Sequence, residues 1–306
     1  MGVNVGKIYL SIAFVLAGSS IVVARFVSGN LQPFTITFMS LVFASITALL
    51  FRGKSLFFTT RKLSKRHWII LILQAIFGIF LFRVFLTFGL KYTSAIEAGI
   101  ITGTAPAITA VFTRLILKEH FKKKSIMGIL LTLLGVLVLQ GFPFNMDTFD
   151  INHSLGNILV LGAASCEALF TTLSRKAHTS IKEDYELHPF AQSGIVSVIA
   201  LILCTIPMLL EGSYTELTAL SINGWIALIW YGSIVTIIAF ACMFAGAKHC
   251  DGYTIAAFTG LIPMSSFILS IIILKETTTI NQVIGCCLVV ISIIIMSRKP
   301  ISNKNK

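Results

Sequence analysis

Three ionisable side chains lie deep inside apolar stretches of this sequence. Glu167 is about twelve residues into an apolar stretch that covers 155–177. Arg83 and Glu97 lie on opposite sides of a short polar break, about seven and about five residues from it. A charge at such a depth in hydrocarbon is costly unless it is paired or hydrated, so each of the three is a candidate for binding or for ion pairing.

Glu167 has no obvious cation at its own depth. We therefore expect it to stay protonated and to bind either a coupling proton or a cationic group of a substrate. The alternative is a permanently protonated glutamate that donates a hydrogen bond to a neighbouring helix. Both alternatives place this side chain near the middle of a membrane-spanning helix.

Arg83 and Glu97 have similar predicted depths, to within a few Å at ~1.5 Å per residue. The short connection between their segments makes the two helices antiparallel neighbours, so the sequence predicts an ion pair between them. That pair is either structural or part of a gate or a substrate-carboxylate site.

Small and kink-forming residues recur in two other apolar stretches. Proline removes one backbone hydrogen bond of a helix and permits a kink, which frees a carbonyl near the membrane centre. The functional interpretation is that these helices bend beside a substrate, and the alternative is ordinary helix packing. Aromatic residues buried inside a helix offer either a stacking surface or core packing. The further candidates are Thr102 with Pro106, Thr259 with Pro263, Ser20, and the aromatic pair Trp230 and Tyr231.

The elements that position these residues are membrane-spanning helices. Hydrophobic residues form 56% of the 306 positions and charged residues 12%, against about 25% in soluble domains. About 20 apolar residues cross a bilayer core as a helix. The apolar stretches predict ten such helices, at roughly 7–27, 32–51, 67–90, 93–116, 124–141, 155–177, 187–210, 222–246, 252–274 and 281–297.

The distribution of Lys and Arg predicts the orientation. If the N-terminus is inside, nineteen of the 24 cationic residues fall in inner segments, two in outer segments and three within helices. Cationic residues are retained on the cytoplasmic side. We therefore expect both termini in the cytoplasm and the segments 142–154 and 211–221 outside. The basic residues flank apolar stretches instead of gathering on one face, so the net charge of +12 does not predict nucleic-acid binding.

An internal repeat divides the chain. Residues 68–128, shifted by 157 positions, lie on 225–285 without a gap, and a shift of 150 relates the first helices of each half. Five helices per half is an odd number, so equivalent segments run in opposite directions. We expect a first repeat at 1–141, an outer loop at 142–154, a second repeat at 155–298 and a cytoplasmic tail at 299–306.

These residues resemble the drug/metabolite transporter superfamily, in its EamA-type branch of ten-helix exporters. The resemblance covers nearly the whole chain, and the positions that carry it are Gly18-Ser19-Ser20 with Arg25, Tyr92-Thr93-Ser94-Ala95, Pro106, Lys118-Glu119, Pro263 and Lys275-Glu276. One departure is that Ala17 and Glu167 stand where this family often has tryptophan. The resemblance implies two inverted five-helix repeats and transport of a metabolite such as an amino acid, nucleoside or sugar.

The sequence thus predicts a secondary transporter in the cell membrane that exports small polar or amphipathic metabolites by alternating access, without a cofactor or a metal, as a monomer or a homodimer. No Walker-type segment is present, which argues against an ATP-driven pump. A channel is an alternative that needs no matched pair of proline-containing helices. A membrane-embedded enzyme is a second alternative, and it would be expected to have a catalytic cluster at membrane depth, which the sequence lacks.

Overall fold

The computed structural model describes residues 2–117, 151–180, 188–212, 214–250 and 258–297, together with Ile255 and scattered positions between 126 and 138. Across these residues the ordered elements are helices, and no strand occurs. In chain order the helices are α1 Gly2–Ser28, α2 Pro33–Lys62, α3 Lys65–Ala75, α4 Phe82–Gly89, α5 Ala95–Thr102, α6 Ala105–Leu117, α7 Ile151–Ser180, α8 Pro189–Glu211, α9 Tyr214–Thr218, α10 Ile222–Ile229, α11 Phe240–His249, α12 Leu261–Leu269 and α13 Ile280–Ser297.

Three π-helical segments continue these helices. Ile76–Leu81 joins α3 to α4, Trp230–Ala239 joins α10 to α11, and Ser270–Leu274 follows α12. The first two lie at equivalent places, because a shift of 157 carries Ile76–Leu81 into the second segment. A π segment widens the helix by one residue per turn and is often found beside functional sites.

Seven helices of the described chain are long and apolar enough to cross a membrane. They are Asn4–Ser28, Pro33–Phe51, Lys65–Gly89, Ala95–Ile116, Asn152–Ser174, Pro189–Glu211 and Ile222–His249. Two shorter apolar helices, Leu261–Leu274 and Ile280–Ser292, follow near the end of the chain. The all-helical membrane class is confirmed. The helix predicted at 124–141 lies largely outside the described residues, so the number ten stays a prediction.

Two carboxylates cap helices to which they do not belong. Glu211, at the end of α8, accepts hydrogen bonds from the backbone N–H groups of Phe34 (3.1 Å) and Thr35 (2.7 Å) at the start of α2. Glu276 accepts from Ala95 (3.1 Å) and Ile96 (3.0 Å) at the start of α5. The first N–H groups of a helix have no partner within it, and the helix dipole favours an anion there. Each carboxylate therefore ties two helix ends together.

Glycines allow two pairs of helices to approach closely. On α1 and α11, a Cβ added at Gly246 would lie 3.1 Å from the carbonyl oxygen of Gly6. On α4 and α7, a Cβ added at Gly89 would lie 2.9 Å from the carbonyl oxygen of Gly156. The shifts of 157 and 150 relate these two contacts to each other. Small residues at such crossings let helix backbones pack in lipid.

The two proline-containing helices are interrupted rather than smoothly kinked. The chain leaves α5 at Gly103 (φ −61°, ψ −8°) and re-enters a helix at Ala105. Gly260, which precedes α12, has nearly the same backbone angles (φ −67°, ψ −8°). Pro106 and Pro263 are the second and third residues of the helices that follow. A missing N–H is tolerated there, because the first N–H groups of a helix lack partners in any case.

Candidate functional site

A cavity lies in the middle of the bundle, and about 50 Å³ of it is open to the centre of a water molecule. It is enclosed by α1, α4 and its π segment, α7, the π segment Trp230–Ala239 with α11, and α12. The residues that line it are Ala13, Phe14, Ala17, Ser20, Gly78, Phe82, Arg83, Glu167, Phe170, Thr171, Tyr231, Val235, Ala239, Phe240, Met243 and Ile262. Four of the predicted site residues, Ser20, Arg83, Glu167 and Tyr231, therefore face one space.

Arg83 is buried and is held by neutral groups. Its guanidinium donates hydrogen bonds to the hydroxyls of Ser40 on α2 and Thr236 on the second π segment. Its Cζ atom lies 3.9 Å from the centre of the Tyr231 ring, which supplies a cation–π contact. Among the described residues it has no carboxylate partner within ion-pair distance. A guanidinium has five N–H donors, so several remain for an anion.

Two polar atoms around the cavity have no hydrogen-bond partner in the described part of the chain. They are Oε2 of Glu167 and the phenolic oxygen of Tyr231, and both are buried. Most buried polar groups in folded proteins have a partner, so each of these atoms needs an explanation. A ligand with hydrogen-bonding groups, placed in the cavity, would supply the missing partners.

The rest of the wall is mainly apolar and aromatic. The rings of Phe170 on α7 and Phe240 on α11 stack with their centres 5.0 Å apart. Gly78 stands opposite Phe170, since a Cβ at this glycine would lie 2.3 Å from that ring. The cavity thus combines one cation, one carboxyl group and a phenol with an apolar lining. Such a space suits a small molecule that carries charges of both signs and an apolar part.

The predicted ion pair between Arg83 and Glu97 is not formed. Glu97 instead accepts hydrogen bonds from Thr93 (2.9 Å) and Gln282 (3.3 Å), and its Oε2 lies 2.7 Å from Nε2 of His153. Depth alone does not decide a contact, because two residues at one depth on neighbouring helices can point in different directions around the helix axes. Glu97 joins the starts of α5, α7 and α13, and it does not line the cavity.

The structure separates the other predicted residues from the cavity. Thr102 is buried and donates to the carbonyl of Gly99 within its own helix, and Thr259 is buried beside the break before α12. Trp230 faces outward and donates from Nε1 to the hydroxyl of Ser19 (3.0 Å). Pro106, Pro263, Thr102, Thr259 and Trp230 do not contribute to the cavity wall.

Sequence reasoning missed Thr171 and the phenylalanines of the wall. One signal could have found part of this wall. Ala17 and Glu167 are related by the shift of 150, and both line the cavity, from α1 and α7. That equivalence identifies the inward face of α7, on which Phe170 and Thr171 lie one turn further along. The shift of 157 carries the same signal for α4 and α11, because it relates Phe82 to Ala239 and Arg83 to Phe240, and all four residues line the cavity.

Comparison with known proteins places this arrangement in a family. The model of the EamA-like transporter family matches residues 4–140 and again 154–298. "Uncharacterized transporter YetK" of Bacillus subtilis (strain 168) is 28% identical over 285 residues, which is 92% of this chain and 83% of that protein. "WAT1-related protein At5g47470" of Arabidopsis thaliana is 25% identical over 306 residues, covering 92% and 82%.

A solved structure supports the fold, and it carries no further conclusion about function. A crystal structure of a protein with 19% sequence identity superimposes with a TM-score of 0.65 and covers 94% of both chains. The family model covers most of the chain, in agreement with the resemblance read from the sequence motifs. This chain is a multi-pass membrane protein and belongs to the EamA-like transporter family.

Proposed function

We propose that this protein is a secondary transporter that exports small metabolites such as amino acids. The observation that carries the proposal is the central cavity, which Arg83 and Glu167 both line while neither has an oppositely charged partner in the described chain. A small zwitterion placed between them would neutralise both. Its carboxylate would accept from the free N–H donors of Arg83, and its ammonium group would lie at Glu167.

Proton coupling is proposed for Glu167. When the cavity is empty, an ionised carboxylate with an unpartnered Oε2 is unfavourable in hydrocarbon, so the protonated form is expected. Arrival of a cationic group would favour the ionised form. A proton released to one side of the membrane and regained from the other would then link substrate movement to an ion gradient.

Alternating access is proposed to arise from two inverted five-helix repeats, at 1–141 and 155–298. The equivalent glycine contacts, the equivalent π segments and the similar breaks at Gly103 and Gly260 support this division. Two halves that are related in this way can exchange conformations around one fixed site. Ten helices and cytoplasmic termini complete the proposed topology.

The Glu97 network is proposed to close the outer side. Glu97, His153 and Gln282 connect three helix ends, and Glu276 adds a link to the start of α5. These polar links would have to break when the cavity opens outward. Glu97 would then act as a gate residue, and the proposal assigns no chemical reaction to it or to any other residue.

A ligand screen by thermal shift tests the proposed substrate class. Purified protein is heated with each of a panel of amino acids, with their amides, which lack the carboxylate, and with their deaminated acids, which lack the ammonium group. We expect at least one amino acid to raise the Tm, because a ligand at about 100 times its Kd stabilises by about 2.7 kcal/mol. Both analogues should raise it much less.

Variants identify the site in the same screen. Arg83→Lys keeps the charge but loses the planar donor group, and Glu167→Gln removes the carboxylate, so both should abolish the shift. Ser165→Ala is a control on α7, because its hydroxyl bonds to Leu161 within the helix and does not line the cavity. An equal shift in all three variants, or equal stabilisation by the amides, would contradict the proposal.

A further inference from the structure

A second opening lies on the outer surface of the bundle, outside the central cavity. It is an apolar groove between α1, α10 and the end of α12 with its π segment, and about 470 Å³ of it is open to the centre of a water molecule. Its walls include Val22, Phe26, Ile226, Trp230, Leu269 and Ile273. Val22, Phe26, Ile226 and Trp230 belong to helices long and apolar enough to cross a membrane, and Leu269 and Ile273 belong to the shorter apolar helix Leu261–Leu274. Because these helices are apolar and Phe26, Ile226, Trp230 and Ile273 are exposed, we infer that the groove faces the bilayer.

The crossing of α1 and α12 explains why the groove is there. A Cβ at Gly18 would lie 2.6 Å from the carbonyl oxygen of Ile262, so the two helices touch at this point. The groove is lined by residues that follow this contact on both helices, among them Val22, Phe26, Leu269 and Ile273, and Val22 is buried. The crossing also divides the two openings, because Ala17 and Ile262 line the central cavity while Leu269 lines the groove.

The polar groups in the groove are already satisfied or lie at its end. The hydroxyl of Ser19 donates to the carbonyl of Leu16 (2.6 Å) and accepts from Nε1 of Trp230 (3.0 Å). Asn223 is the second residue of α10, at the membrane-surface end of the groove. The inner wall is therefore apolar, and a polar ligand would find no partner there.

The groove is shorter than the hydrocarbon part of one lipid leaflet, so an acyl chain is long enough to fill it. From Asn223 to Trp230 is seven residues, or ~10 Å along a helix axis at ~1.5 Å per residue. One leaflet contributes about half of the ~30 Å hydrocarbon core. The sequence places the start of α10 on the outer side, next to the segment 211–221.

We propose that this groove is a binding site for one acyl chain of an outer-leaflet phospholipid, with the Trp230–Ser19 pair forming its inner end. This acyl chain would be held by α1, α10 and α12, whereas the other lipids around the protein exchange freely. Trp230 and Ser19 are adjacent in sequence to Tyr231 and Ser20, which line the central cavity. Occupancy of the groove would thus stabilise the closed wall between the lipid and the cavity.

Quenching of Trp230 fluorescence by brominated lipid tests this site. The chain has three tryptophans, so Trp68→Phe with Trp225→Phe leaves Trp230 as the sole reporter. This protein is purified with phosphatidylcholine whose chains carry bromine near their middle, and non-brominated phosphatidylcholine is then added in excess. We expect strong initial quenching and slow recovery of fluorescence, because a chain held in the groove exchanges more slowly than surrounding lipid.

Filling the groove provides the second comparison. Ala227 lines it, so Ala227→Phe should reduce the quenching at least twofold, with Ala227→Leu as a milder version. Ile229→Phe is the control, because Ile229 is exposed on the same helix but does not line the groove. If the Trp230 fluorescence of the protein with Ala227 unchanged recovers within the mixing time, the site is ruled out. This result does not depend on whether the Ala227 variants fold. Equal quenching in the Ala227 and Ile229 variants rules out the site as well. Neither result bears on transport.

Discussion

Arg83 shows how neutral groups can surround a buried cation, since no described residue gives it an acidic partner. Two hydroxyls and the face of Tyr231 surround its guanidinium, and they compensate part of the cost of removing it from water. Neutral partners of this kind leave the charge available to an anion that enters the cavity. A carboxylate in permanent contact would have occupied the same donors.

The separate surroundings of Arg83 and Glu97 lead to a prediction for a charge exchange. Arg83→Glu combined with Glu97→Arg should restore neither transport nor stability, because the exchanged groups would not meet. For Arg83→Met and Glu97→Gln, the losses in unfolding free energy should add to within about 0.5 kcal/mol. Chemical denaturation of the two single variants and the double variant measures this. If the double variant is clearly more stable than the sum of the two single losses allows, Arg83 and Glu97 do form a direct ion pair.

At this scale four of the candidate residues line one cavity, but their contacts were not predicted. Depth along a helix follows from counting residues, and Arg83 and Glu167, which counting places well inside their helices, both line that cavity. Direction around the helix follows from packing between distant segments, which one sequence without a repeat shift does not reveal. That is why Glu97 was given the wrong partner. Phe170 and Phe240 were missed although the repeat shifts relate Ala17 to Glu167 and Arg83 to Phe240, and so indicate the inward faces on which both rings lie.

At the scale of elements, several close helix contacts depend on glycine. Gly89 on α4 and Gly246 on α11 each face a glycine carbonyl on the partner helix. An added methyl group would lie 2.9 Å from the Gly156 carbonyl oxygen at Gly89. At Gly246 it would lie 2.6 Å from the Leu10 side chain and 3.1 Å from the Gly6 carbonyl oxygen, so in both places the neighbouring atoms have to shift. The internal repeat in the sequence made these two glycines equivalent, and their contacts are equivalent in the structure.

We predict that Gly89→Ala and Gly246→Ala destabilise the protein by similar amounts, about 1–3 kcal/mol each, as expected for overpacking. Gly53→Ala is the control within a helix, since the nearest atom to its added Cβ is 4.0 Å away. In that variant stability should stay the same or rise slightly, because alanine favours helix more than glycine does. Thermal unfolding in detergent measures all three. If Gly53→Ala lost as much stability as the other two variants, the close contacts would not be the cause.

At the scale of the whole molecule, orientation rests on the distribution of charge. Nineteen of the 24 Lys and Arg residues fall on the side assigned to the cytoplasm. The helices of the described chain agree with most of the predicted apolar stretches, because length and hydropathy define a membrane span almost by themselves. The interruptions at Gly103 and Gly260 and the π segments could not be predicted in detail, since they depend on how neighbouring helices pack.

Labelling of single cysteines tests the predicted topology. In a variant without the six native cysteines, Asp147→Cys should react in intact cells with a thiol reagent that does not cross membranes. Lys123→Cys should react only after the membrane is opened. The physical reason is that 142–154 lacks Lys and Arg, whereas the segment around Lys123 is strongly basic. The reverse pattern of labelling would show that the orientation is inverted.

The central claim is that the cavity carries small zwitterions across the membrane in exchange for protons at Glu167. Efflux from sealed vesicles is its most direct test. Vesicles containing the purified protein are loaded with a mixture of isotope-labelled amino acids, and the loss of each is followed by mass spectrometry with and without a pH gradient. Vesicles without protein give the background.

We predict that the wild-type protein speeds the efflux of a subset of these amino acids at least tenfold when the outside is acidic. Glu167→Gln should fold normally, lose the acceleration by the gradient and give a rate that no longer depends on pH, because its amide cannot release a proton. Proton-coupled transport through this cavity is contradicted if no amino acid leaves faster than from protein-free vesicles, or if Glu167→Gln matches the wild type at every pH.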